Sequence, residues 1–173
     1  MHEAGHHNAP KPETDGHGNG EPIIYTVKGT LNGTLTEPDG CTINFTDATF
    51  SWRLVGNTAS LATVLGLSPV PTFEVPAEKD TLRVGDRTLT PTIPTVFAAA
   101  TVPAPQPFGI AGFSDAATSQ GLAWRSAALA NYDGISPVHG LAVGFDNAGP
   151  LPTNRGELSI TGASDLHFSA VVV

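Results

Sequence analysis

The chain has 173 residues, within the usual range of a single domain, and its 16 acidic and eight basic residues give a formal charge of −8,. An acidic chain whose lysines (Lys11, Lys28 and Lys79) and arginines are scattered has no basic patch for phosphate, so nucleic acid is not expected as a partner. No apolar run approaches the roughly twenty residues of a membrane-spanning helix, and the single cysteine, Cys41, excludes an internal disulfide,.

Residues 1–22 hold four of the six histidines and no aliphatic residue larger than alanine after Met1. Such a segment cannot bury enough apolar surface to offset its ordering entropy, so a disordered tail is expected ahead of one all-β domain over 23–173. The imidazoles of His2, His6, His7 and His17 are candidate ligands for Zn, Cu or Ni. The string from His2 to His6 matches the H-E-x-x-H pattern of zinc proteases, which needs a stable helix. Gly5 is unfavourable inside one and Pro10 follows, so a soluble leader is the competing reading. No cofactor is assigned. No basic or apolar segment follows Met1, so no signal peptide is visible. Met1 reads as a start added to a mature exported sequence, with a natural cytoplasmic start as the alternative.

At Ile23 the pattern changes. Ile23, Tyr25, Val27, Gly29, Leu31, Gly33 and Leu35 alternate with polar positions, the period-two signature of a half-buried strand. Glu37 to Gly40 reads as a turn, with Pro38 at the position that needs φ near −65°. Ile43 and Phe45 then alternate on odd positions, whereas Phe50, Trp52 and Leu54 alternate on even ones. That switch predicts a β-bulge or tight turn around Asp47 and Ala48. Gly56 and Asn57 mark the next turn, before a short strand through Ala59, Leu61 and Thr63.

From 65 to 107 the many prolines confine strands to edges, starts and loops, with strands expected near 70–75, 81–84, 87–90 and 95–102. Ala116 to Asn131 is the one segment where a short helical turn is expected. Leu141 to Phe145 reads as a buried strand. Leu158 and Ile160, then Leu166, Phe168, Ala170 and Val172, read as a closing hairpin around Gly162 to Asp165. Nineteen glycines, 15 prolines and 14% charged residues also argue against long helices,. The expected fold is an all-β, antiparallel β-sandwich of about ten short strands, with a closed β-barrel as the alternative.

Leu129 to Asp133, Gly144 to Asn147, Thr153, Gly156 to Leu158, Ala163 to Asp165 and Phe168 to Val172 together resemble the β-rich domains of bacterial exoproteins that carry Pro-Glu-Pro C-terminal sorting tails. Tyr25 to Gly29 and Ala48 to Trp52 fit the same style. The resemblance covers about 80 residues and implies an exported bacterial β-sandwich, extracellular or at the cell surface. It implies no activity. The chain reaches Val173 without that tail, an apolar helix or a basic stop, so the resemblance does not extend to anchoring.

Three constellations bear on chemistry. His139 and His167 lie in the β region with Ser136, Ser164, Asp133, Asp146 and Asp165, but nothing resembles a Gly-x-Ser-x-Gly elbow, and no residue is assigned as catalytic. Asp133, Asp146 and Asn147 supply oxygen donors without the spacing of a calcium loop, which favours turn formation. Trp52 sits on the apolar face and reads as core. Trp124, in a small-residue segment, can instead stack with Tyr132 on a sugar, with Asp133 and His139 nearby as polar contacts.

The first functional reading is a non-catalytic exported module that binds a glycan, a surface polymer or a protein partner, with self-association left open. Its mark would be an exposed aromatic or apolar patch. The second is a small barrel enzyme of cyclase, isomerase or dirigent-like type, acting on an apolar molecule in a pocket lined by Phe97, Phe108, Phe113 and Trp124. The third is a structural subunit of an extracellular assembly, marked by exposed edge strands.

Overall fold

A computed structural model of the chain describes residues 20–64, 71–103, 105–115 and 121–173. The alternation from Ile23 onward becomes a single strand, β1 (Pro22–Thr36), whose Ile23, Tyr25, Val27, Leu31 and Leu35 are wholly buried. The expected turn follows, with Gly40 N–H donating to Glu37 O at 2.9 Å. The chain returns as β2 (Thr42–Asn57) in antiparallel register with β1.

The parity switch near Asp47 is a bulge. Leu31 faces Ala48 and Gly33 faces Phe45, so Asn32 alone opposes Thr46 and Asp47,. Asp47 takes the left-handed conformation (φ 45°), and its N–H donates to Asn32 Oδ1 at 2.8 Å. One extra residue moves the buried set of β2 from odd to even positions.

The other strands are β3 (Ala62–Val64), β4 (Thr72–Pro76), β5 (Lys79–Val84), β6 (Arg87–Leu89), β7 (Thr95–Val102), β8 (Phe108–Asp115), β9 (Gly121–Ser126), β10 (Val138–Ala148), β11 (Leu151–Thr153) and β12 (Gly156–Val172). The strands expected near 70–75, 81–84, 87–90 and 95–102 are β4 to β7.

The short helical turn expected within 116–131 is present as one 3-10 turn, Ala127–Leu129, capped by Ser126 Oγ accepting from Ala128 N–H at 3.1 Å, but the described residues before it form a strand, β9. The small residues of β9 hide a strand because only Leu122 and Trp124 carry its inward face. The closing hairpin around Gly162 to Asp165 is instead one 17-residue strand, β12. Its turn-like residues are absorbed by two bulges against β1, where the register jumps from His167 to Ser164 and from Gly162 to Ile160. Two bulges cancel in parity, so Leu158, Ile160, Leu166, Phe168 and Ala170 all face inward. Asp165 takes φ 52° at the first of them. Opposite it sits Gly29, where a Cβ would come within 2.6 Å of Ser164 O, so the close approach requires glycine,.

The all-β antiparallel class holds. The strands form one curled sheet in the order β3-β4-β7-β8-β9-β10-β12-β1-β2-β5-β6, with β11 paired to β12 beside that path. β10 carries the sheet around one side: Val138 to Val143 pair with β12, and Gly144 to Ala148 pair with β9. The result is a half-barrel whose two halves face each other as sandwich layers do. Among the described residues no helix is long and apolar enough to cross a membrane.

Aromatic rings join the halves. Phe97 of β7 stacks on Tyr25 at 3.9 Å and on Phe168 at 5.6 Å between ring centroids, and meets Phe113 edge-on. Trp52 and Trp124 pack against Phe113 at 5.1 and 5.2 Å. Because Phe97 touches β1, β8 and β12 together, we expect Phe97→Ala to lower stability by about 3–5 kcal/mol. A loss of unfolding free energy in urea of less than half of this would show that the rings repack around the gap.

Candidate functional site

The expected ligand set is only partly brought together. Trp124 is 0% exposed, which corrects the expectation of an exposed ring: its neighbours Phe113 and Phe168 cover it, and its indole N–H meets no acceptor among the described residues. Tyr132 is half-buried, edge-on to Phe97 and Phe168, and its hydroxyl donates to Ser136 O at 2.7 Å. Tyr25 reaches the same loop, donating to Gly134 O at 2.6 Å. Burial pushes both phenols up, so they remain neutral donors,.

Asp133 spends its carboxylate on its own loop. Oδ1 accepts from the N–H groups of Ile135 and Ser136, and Oδ2 from Ser136 Oγ. Burial works against its charge, but these bonds prevail and hold the carboxyl below its ordinary value. His139 is exposed beside Gly140, where β10 bulges against β12. Asp146 sits at the second bulge of β10, against β9. His167 is exposed, with Nδ1 3.1 Å from Asp165 O, while Ser164 Oγ pairs with Thr30 Oγ1 at 2.7 Å. Among the described residues no three His, Cys, Asp or Glu side chains gather in a metal-ligating group. His2, His6, His7 and His17 lie outside the described residues.

Of the four residues expected to line a barrel enzyme's pocket, Phe97, Phe113 and Trp124 are packed into the core, and Phe108 is half-buried outside it. Concavities lie on the surface. One, a half-open groove of about 250 Å³ over β7, β8 and β9, is floored by small residues such as Ala98, Ala100, Gly112 and Ala123.

The residue that sequence reasoning missed is Asp80. It is the second residue of β5 and lines a depression of about 370 Å³ with Lys79, Thr90, Pro91 and Thr95. Its Oδ1 accepts from Trp52 Nε1 and its Oδ2 from Thr95 Oγ1. Burial raises its carboxyl above the ordinary value, against the opposing pull of these two bonds. A perturbed acid in a cleft is a general signal of chemistry, yet both oxygens here are engaged by the protein's own donors. The geometry is that of a strut.

The outer surface of β12, β1, β2 and β5 has a different character. Its side chains alternate with the buried set, and two cross-strand rows are polar: Ser169, Thr26, Arg53 and Thr81 form one, and His167, Lys28, Ser51 and Arg83 the next, whereas the row of Val171, Ile24, Val55 and Lys79 at the margin is apolar except for its lysine. No aromatic ring is exposed among the described residues; the exposed large hydrophobics are Val64, Val171 and Val173.

Comparison with known protein families, curated proteins and solved structures gives no match.

Asp80 generates a prediction about pH. A carboxyl raised by folding keeps its proton where the unfolded chain has released it, so the stability it adds is complete below the unfolded value and is lost as pH rises through the folded one. The stability of the wild type relative to Asp80→Asn should therefore fall as pH is raised from about 4. Asp80→Ala leaves two donors without an acceptor and should cost about 1–3 kcal/mol. Denaturation curves at several pH values measure both, and a pH-independent difference from Asp80→Asn would refute the assignment.

Proposed function

We propose that this domain is an exported, non-catalytic module that binds a glycan or another surface polymer on its outer surface. The observation that carries the reading is the hydroxyl-rich face of β12, β1, β2 and β5, set on an interior filled by its own rings. Rows of Thr and Ser at the strand spacing of about 4.8 Å offer repeated donors and acceptors to an extended chain. Export is supported by the low lysine content and by the resemblance to exoprotein β-domains. The aromatic platform expected around Trp124 does not contribute, so hydrogen bonding and charge carry recognition instead of ring stacking.

The test is retention of the full chain on a panel of immobilised polysaccharides, with release by the same polymer in solution and its chain length followed afterwards. Retention with unchanged chain length is expected. Failure on the whole panel, or shortening of the polymer, would overturn the reading.

A further inference from the structure

We infer that the face of β12, β1, β2 and β5 takes an anionic polysaccharide, one that carries carboxylates or sulfates along its length. The inference rests on the binding-module reading and names its ligand class. In sequence the basic residues are scattered, but the register gathers four of the eight on this face: Lys28, Arg53, Lys79 and Arg83. Thr26 pairs with Arg53 and Lys28 with Ser51; Arg53 pairs with Thr81 and Ser51 with Arg83; Val55 pairs with Lys79. Arg53 is thus the diagonal neighbour of the other three, at about 7–8 Å.

All four are exposed, and among the described residues none has an ion pair. The three cross-strand rows that hold them contain no Asp or Glu, in a chain with 16 acidic residues. His167, directly opposite Lys28, extends the row. Like charges at this spacing repel one another, and a bound anion relieves that repulsion. Where β1 and β12 bulge, the face also dips into a depression of about 320 Å³ lined by Lys28, Gly29, Ser51 and His167, with Asp165 as its single acidic residue. That dip admits a ring substituent beside the Lys28 ammonium.

Several features favour a polysaccharide over a nucleic acid. The chain as a whole carries −8, which repels the dense phosphates of a duplex beyond the patch. No exposed ring is available among the described residues to stack a base,. Thr26, Ser51, Thr81 and Ser169 stand between the cations and suit sugar hydroxyls.

The experiment measures binding of the full chain to sodium polygalacturonate, to neutral dextran and to duplex DNA. Polygalacturonate should bind at least tenfold more tightly than dextran or DNA, and binding should weaken as salt is raised. Lys28→Gln/Arg53→Gln/Arg83→Gln should lose at least tenfold, whereas Arg125→Gln/Arg155→Gln, off this face, should not. The triple variant should keep the wild-type melting temperature, because it relieves repulsion. Should it unfold, the three single exposed substitutions decide the matter, each with an expected loss of about threefold. Dextran bound equally well by wild type and triple variant overturns the anionic ligand and leaves the binding module standing. DNA bound more tightly than polygalacturonate overturns it in favour of a nucleic acid. Binding to none of the three overturns the anionic ligand alone where a neutral polysaccharide on the wider panel retains the chain, and supports it where a sulfated one does; retention by none overturns both readings.

Discussion

A sheet curled into a half-barrel has two free edges, and what holds this one shut is the corner at the start of β5. β5 does not pair with β7, so the two halves need another link there. Ala77 N–H donates to Thr95 O at 2.9 Å and Glu78 N–H to Val55 O at 2.7 Å, which ties the β4–β5 connection to both layers. Asp80 then binds Thr95 of one half and Trp52 of the other through its two oxygens. Trp52 is the inward ring that meets Phe113 across the core, so the strut fixes the position of the ring as well as the seam. Two strong acceptors satisfied by two buried donors leave little of the carboxylate unpaired, and partial burial of an acid is tolerable on those terms.

The interior takes seven of the twelve aromatic residues, both tryptophans among them, and this decides what the surface can do. Tyr25, Phe50, Trp52, Phe97, Phe113, Trp124 and Phe168 are all at or below 2% exposure. A half-barrel without a closed hydrogen-bond ring needs large rings to bridge its layers, because small side chains would not reach across. The two outer surfaces are then built from what remains. Over β7, β8 and β9 that is alanine and glycine, which makes a shallow apolar groove. Over β12, β1, β2 and β5 it is threonine, serine and the basic residues, with Ile24, Val55 and Val171 along one margin.

Legibility in the sequence followed side-chain size. β1 and the bulge at Asp47 could be read because large apolar residues mark every second position and the switch from Phe45 to Phe50 changes parity. β9 could not, because only Leu122 and Trp124 declare its inward face and the rest is small. β12 reads as a hairpin in sequence because Gly162 to Asp165 has turn chemistry, and only pairing with β1 along its whole length shows the residues to be bulges. Asp80 gives no local signal: what distinguishes it is the approach of Trp52 and Thr95, residues distant in sequence. The cation cluster is hidden for the same reason. Lys28, Arg53 and Arg83 lie on three different strands, and their proximity is a property of register.

Register also explains why the bulges matter to the surface. A strand that slipped by one residue would turn its outward side chains to the core, so β1, β2 and β12 must stay in step with one another across the rows. On β12 both bulges lie between His167 and Ile160, so Ser169 and His167 pair directly with Thr26 and Lys28 and share their face. On β2 the single bulge lies beyond the basic residues, near Asp47, so Ser51, Arg53 and Val55 stay in step with β1. The irregularities that allow long strands to curl therefore fall at or beyond the margin of the rows that carry the charge, and the rows themselves remain regular.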